Sequence, residues 1–153
     1  QVKDEYLIAK SLGICRLWSV VSPSYVQSFG VPEQLEGLHQ HYAVEYLVEK
    51  NQKQMSELVF FDQQVKLPYM IVAEDTESYL AAGLAGLGII QIPEFDAQFY
   101  LKQGAFVQVF KEKKSVELPI NFLCPDRKFR PQYLQNFINW FTEILQNTIE
   151  ISE

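Results

Sequence analysis

The chain is poor in the residues that carry most protein chemistry: among 153 residues it has 2 His and 2 Cys, and 13 Lys and Arg stand against 19 Asp and Glu. His39 and His41 are two apart, on different faces of a helix or on one face of a strand, and neither cysteine lies close enough in sequence to join them as a zinc ligand. No metal site is expected. Cys15 and Cys124 are far apart in apolar, strand-like contexts and lack any flanking motif that lowers a thiol pKa. They read as buried thiols of a reducing cytoplasm rather than as a disulfide or a nucleophile. There is no Gly-x-Ser-x-Gly elbow. Carboxylates such as Asp75 and Glu77 flank a helix start, where capping accounts for them better than acid/base work. No catalytic residue and no cofactor are expected.

Two further shortages narrow the function classes. The net charge of -6 and the scatter of the basic residues argue against direct nucleic-acid contact through this surface, and the run Lys111 to Lys114 is interrupted by Glu112 and reads as a solvated turn. Apolar stretches are broken by Gly, Pro or charge well before the ~18 residues that a membrane span needs, so no membrane partner is expected. No signal peptide is read at the start. The chain opens on Gln1 rather than Met and runs straight into a strand pattern, which suggests a piece of something longer.

What is present is core: 48% of the residues are apolar, enough for one domain or one two-lobed unit. Tyr6 to Ile8 and Ile14 to Val21 read as two strands or one long bent strand around Gly13. Ser22-Pro23 is a helix start, with Ser as N-cap and Pro at the first helical position, and Gly30 a helix stop. A second short helix follows Pro32, from Glu33 to Leu38. Tyr42 to Val48, Glu57 to Phe61 and Val65 to Val72 read as strands, the last an edge or bulged strand because of Pro68. Asp75 or Thr76 caps a helix carrying Leu80, Leu84 and Leu87. Ile89 to Ile92 form a buried strand, and Pro93 starts a helix that Gly104 closes. Ala105 to Phe110 and Val116 to Leu123 read as strands, and an amphipathic helix runs from Pro131 to about Thr148. Strands and helices alternate with crossovers, so the class is α/β.

Gly83, Gly86 and Gly88 follow a helix instead of preceding one. A dinucleotide turn needs its glycines between a strand and the next helix, where amides face the phosphates. At a helix C-terminus carbonyls point outward and an anion is repelled. The cluster therefore reads as close packing at Gly83 and Gly86 and a left-handed turn at Gly88.

The segments DTESYLAAGLAGLGIIQIPEF, YLKQGAFVQVF and PINFLCPDRKFRPQYLQNFINWFTEIL together resemble the C-terminal half of the effector-binding domain of LysR-type transcriptional regulators. The earlier DEYLIAKSLGICRLWSVVSPSYVQSFGVPEQLEGLHQHYAV matches the stretch that precedes it in that family, so the resemblance covers nearly the whole chain. It implies a type 2 periplasmic-binding-protein-like architecture of two α/β lobes joined by crossing strands, with a small-molecule effector in the cleft and no cofactor. Residues 1–20 would be a partial first lobe, 21–118 the second lobe, and 119–153 the return crossover and closing helix of lobe one. The family's helix-turn-helix and the first part of lobe one are not in this sequence, so exposed apolar surface is expected on Ile8, Trp18 and the terminal helix.

The resemblance, with the rule that ligands gather near strand ends and helix starts, marks Ser22, Ser24, Phe60, Phe61, Thr76 and Gln91 as effector-binding candidates. Ser22 and Ser24 serve equally as caps, and only one of Phe60 and Phe61 is expected to line a pocket while the other packs inward. The implied function is an effector-sensing domain of a cytoplasmic, homo-oligomeric regulator that contacts DNA through its absent helix-turn-helix. A solute-binding fragment of a transporter shares the architecture and is the alternative. An enzyme on this fold would need a convergent acid, base or nucleophile set, which the sequence does not display.

Overall fold

The computed structural model describes residues 7–47, 55–125 and 131–148. It divides into two compact units, Arg16–Val116 and the pair of segments Gln1–Cys15 and Glu117–Glu153. No helix among the described residues is long and apolar enough to cross a membrane.

The first described residues form one continuous strand, β1 (Leu7–Val21), which passes through Gly13 without a break. Ser22 then caps α1 (Pro23–Phe29), its hydroxyl accepting the Tyr25 amide at 3.3 Å, and Gly30 ends the helix at φ 78°. The helix expected after Pro32 is a 3-10 turn at Leu35–Gln40. Four short strands follow: β2 (Ala43–Tyr46), β3 (Ser56–Val59), β4 (Gln64–Leu67) and β5 (Tyr69–Ala73). The single strand expected over Val65 to Val72 is thus two. Pro68 divides them because it has no N–H to donate to a ladder, while its carbonyl accepts from the Ala43 amide at 2.9 Å. Before Pro68 the chain pairs antiparallel with β3; after it, parallel with β2.

Next come α2 (Thr76–Leu84), β6 (Ile90–Pro93), α3 (Glu94–Lys102), β7 (Val107–Gln108), β8 (Glu117–Pro125) and α4 (Gln132–Thr148). The strand expected over Ala105 to Phe110 shrinks to two residues. Phe110 is left-handed at φ 56°, a conformation that cannot continue a strand.

Within Arg16–Val116, β1 pairs antiparallel with β6 and β7, and a parallel bridge from Ala43 to Ile89 joins β2 to β6. Both faces of this sheet are covered. Val21, Ala43 and Ile89 enter one core cluster with Tyr25, Leu38 and Phe60; their chain neighbours Val20, Val44 and Ile90 enter the other with Ala82, Ala97 and Phe106. Alternate side chains of a strand point to opposite faces, so burial on both sides requires the unbroken apolar pairs seen in the sequence. Each fully buried Val or Ile contributes about 1.5–3 kcal/mol. Trp18, for which exposure was expected, packs partly buried against the second cluster.

In the other unit β8 pairs with β1, and Leu12, Cys15, Cys124 and Ile138 are buried. The Phe122 and Phe137 ring centroids are 6.5 Å apart. Tyr133, Phe137, Trp140 and Ile144 of α4 are exposed, as the resemblance leads one to expect for the terminal helix; the Ile8 side chain lies outside the described residues.

The glycine cluster corrects one expectation. The left-handed residue is Gly86, at φ 80°, and not Gly88. Its N–H bonds to the Gly83 carbonyl at 3.1 Å and that of Leu87 to the Ala82 carbonyl at 3.1 Å, a Schellman ending for α2. A Cβ on Gly86 would also stand 2.5 Å from Ser24 Oγ. Gly88 is needed for approach: a Cβ there would fall onto the backbone of Ala43 and Val44, where Ile89 exchanges hydrogen bonds with Tyr42 and Val44 at 2.8 and 3.1 Å. Both glycines suit a turn by sequence; only the strand partner distinguishes them.

Gly88→Ala forces the two backbones apart and is expected to destabilise the protein by about 1–3 kcal/mol or more. Gly37→Ala, at a glycine with open space around it, should stay within about 1 kcal/mol of the parent in the same urea titration.

Candidate functional site

On β6, Ile90 and Ile92 point into the second core, so the residue between them leaves that face. That residue is Gln91, paired across the sheet with Ser19. Its side-chain Oε1 accepts from the Val59 amide at 2.8 Å, and its Nε2 donates to the Val59 carbonyl and to Ser19 Oγ, both at 3.0 Å. A primary amide carries the same donor and acceptor as a peptide group, so Gln91 gives the end of β3 both bonds that a neighbouring strand would supply.

The Gln91 main-chain N–H donates to Tyr79 Oη at 2.9 Å. Tyr79 is on α2, one turn after Thr76, and its ring stands edge-on to Tyr46 at 5.2 Å between centroids. Burial pushes the Tyr79 phenol up to about 12, with the Glu45 charge acting in the same direction and the Gln91 hydrogen bond opposing it. The phenol therefore stays neutral at physiological pH, and its proton remains available for donation. The helix that carries it is held at its start by Asp75. One oxygen of that carboxylate accepts the Ser78 amide at 2.8 Å and the other the Ser78 hydroxyl at 2.7 Å. These bonds lower the Asp75 pKa and keep the cap ionised.

Between β2, β3, β6 and the first turn of α2 lies a cavity of about 480 Å³. Leu17, Val44, Leu58, Ile92 and Pro93 form its apolar wall. Glu45, Tyr46, Ser56, Glu57, Thr76, Tyr79 and Gln91 supply its polar groups. Tyr46 Oη and Thr76 Oγ1 are 3.5 Å apart, a long contact for two hydroxyls, so both keep hydrogen-bonding capacity to spare. Glu57 faces Lys66 at 3.8 Å. An apolar wall with a few directed polar groups is the build of a small-molecule site.

Of the six candidates, Thr76 and Gln91 are brought together in this cavity. Ser22 and Ser24 share a hydrogen bond of 2.8 Å at the start of α1 and pack against Gly86. Phe60 is 5% exposed and stands edge-on to Phe110 in the first core cluster. Phe61 is 59% exposed, with Lys114 Nζ 3.7 Å from its ring centroid. None of these four lines the cavity. The sequence reading missed Glu45, Tyr46, Ser56, Glu57 and Tyr79. Glu45 carried a signal, a charge inside the apolar run AVEYLV; Tyr79 carried another, the three-residue helical step from Thr76.

Gln91→Leu leaves the Val59 N–H and C=O without their partner. A cost of about 1–3 kcal/mol is expected for each group left buried and unpaired, together with faster hydrogen exchange at the Val59 amide, measured by NMR.

The family model for the LysR substrate binding domain matches residues 1–146. The chain is 27% identical over 150 residues to the HTH-type transcriptional regulator YhjC of Escherichia coli strain K12, covering 96% of this chain and 50% of that protein. It is similar in structure to the regulatory domain of CrgA, a LysR-type transcriptional regulator from Neisseria meningitidis. There the TM-score is 0.78 at 22% identity, over 95% of this chain and 72% of that one. It also resembles the full-length virulence activator AphB of Vibrio cholerae, with a TM-score of 0.72 at 25% identity over 92% of this chain and 48% of that one. The chain spans about half the length of the curated relatives it matches. The mixed α/β fold is that of LysR-type regulatory domains, periplasmic-binding-protein-like in architecture, and these matches favour a regulator over a transporter fragment. The chain belongs to the LysR substrate binding domain family.

Proposed function

We propose that this chain senses a small-molecule effector for a LysR-type transcriptional regulator, and that the cavity beside Thr76 and Gln91 is its part of the effector site. The observation that carries this reading is the cavity itself: about 480 Å³ between the sheet and the start of α2, with an apolar wall and hydroxyls that retain hydrogen-bonding capacity. We read Arg16–Val116 as the second lobe of the two-lobed architecture, with bounds a few residues earlier than the 21–118 expected, and the flanking segments as parts of the first. Thr76 and Tyr79 contact the effector, and Gln91 positions the wall through Val59. Ser22 and Ser24 cap α1 and seat the Gly86 turn.

In the intact protein, a homo-oligomer in the cytoplasm, the effector biases the arrangement of helix-turn-helix segments that lie outside this chain and contact DNA. A ligand shifts that equilibrium only by its difference in affinity for the two arrangements. The role is regulatory, with no chemical step. Membership of a regulator family supports it.

A thermal-shift screen of the intact protein against metabolites tests the reading. At ~100 times its Kd an effector adds about 2.7 kcal/mol of stability, which raises Tm by several degrees. Thr76→Val is expected to weaken that shift while leaving the unliganded Tm nearly unchanged; Tyr79→Phe is expected to weaken it and also to lower the unliganded Tm, because the Gln91 N–H loses its acceptor. A screen in which nothing shifts Tm, or hits indifferent to both substitutions, would count against the assignment.

A further inference from the structure

We infer that the Tyr79 hydroxyl is the donor that selects the effector, and that the effector is an uncharged molecule offering it an oxygen acceptor of the ketone or amide kind. The inference rests on the effector reading above and narrows its chemistry. A phenol has one proton to give and accepts through its oxygen. The acceptor side of Tyr79 is in use, because the Gln91 N–H donates to Oη at 2.9 Å. Its proton is not, since Tyr79 makes no other hydrogen bond with the described residues. The bond from Gln91 and the edge-on Tyr46 ring, 5.2 Å away between centroids, fix where the hydroxyl stands, and Tyr79 lines the cavity. A donor withdrawn from water costs free energy until an acceptor meets it, and an occupant of the cavity is placed to do so.

The surroundings of this hydroxyl set the charge of its acceptor. Burial is the main reason that the Tyr79 pKa is raised, and the Glu45 charge adds to it, so a carboxylate brought to the phenol would sit in a negative field. No Lys, Arg or His side chain is among the described residues that line the cavity to offset that field. The start of α2, which would attract an anion, already holds the Asp75 carboxylate on the Ser78 amide at 2.8 Å. A protonated amine, for its part, has no lone pair to accept with. A carbonyl oxygen has the lone pairs without the charge. Val44, Leu58 and Ile92 suit an apolar body attached to it, and the Tyr46 and Thr76 hydroxyls, 3.5 Å apart, can take a second polar group.

The test is an NMR titration of the intact protein, isotope-labelled at tyrosine Cζ, with three probes: 4-phenylbutan-2-one, propylbenzene and 3-phenylpropionate. The ketone should bind roughly three- to tenfold more tightly than the hydrocarbon, the difference that one neutral hydrogen bond makes, and the acid more weakly than the ketone. The Cζ resonance that Tyr79→Phe removes should move with the ketone. In Tyr79→Phe the ketone should fall to the affinity of propylbenzene while propylbenzene is unchanged, which also shows the cavity to be intact. Because that substitution takes the acceptor from the Gln91 N–H, a second change keeps the oxygen: 3-fluorotyrosine at position 79 is a stronger donor and should tighten the ketone alone.

Propylbenzene or the acid binding as well as the ketone, a Cζ resonance that the ketone leaves in place, a ketone affinity indifferent to fluorination, or binding by none of the three overturns the inference. A metabolite hit that falls with Thr76→Val but leaves the Tyr79 resonance unmoved sinks the donor assignment and leaves effector sensing in place. Silence from both the probes and the metabolite screen removes the sensing reading as well.

Discussion

The Gln91 side chain holds the candidate site together. β3 has one strand partner among the described residues, β4, and its far end would drift from the sheet without a second set of bonds. Gln91 provides them through a side-chain amide that pairs with Val59 as a peptide group would, at 2.8 and 3.0 Å. Its third bond, to Ser19, ties the same amide to β1. Its backbone N–H reaches Tyr79 and so sets the position of α2. One residue thus connects β1, β3, β6 and α2, four of the elements around the cavity. Buried amide groups hold such geometry firmly because breaking any one bond leaves a polar group unsatisfied.

The sheet beneath this clamp depends on close backbone approach. β2 reaches β6 only because residue 88 has no side chain, and that contact brings Glu45 and Gln91 to the same cavity. The pairs Val20-Val21, Ala43-Val44 and Ile89-Ile90 fill cores on both faces, so the strands that meet at Gly88 have no solvated side on which to shift. Rigid packing below and retained hydrogen-bonding capacity above are the division of labour that a binding scaffold requires. A neutral Tyr79 stands in the polar wall, and an ionised Asp75 caps the helix that carries it by accepting from Ser78.

Much of the frame was legible in the sequence because local chemistry decides it. Ser22-Pro23 starts a helix, Asp75 caps one, Pro93 opens another, and α4 shows its period in Leu134, Phe137, Ile138, Phe141 and Leu145. Family resemblance supplied the architecture, which no single motif did. The failures are tertiary in origin. Pro68 reads as an irregular strand residue, but that the chain changes partner there depends on where β2 and β3 lie. Gly86 and Gly88 are interchangeable as turn residues until Ala43 is placed beside one of them. Phe60 and Phe61 alternate as strand residues should, yet the cavity opens on neither, since Phe60 is held in the core by Phe110 and Phe61 lies under Lys114. Thr76 and Gln91 could be picked from a helix start and a strand, while Glu45 needed the observation that it lines a cavity.

If an effector binds beside this clamp, the backbone around it must become harder to open. The most direct measurement is hydrogen exchange on the intact protein with and without a stabilising ligand, read peptide by peptide. The account predicts slowed exchange in Ser56–Val59, in the first turn of α2 and at Gln91, with little change at the start of α1 or around Phe61. Slowing confined to those last two regions, with β3 and α2 unaltered, would contradict it.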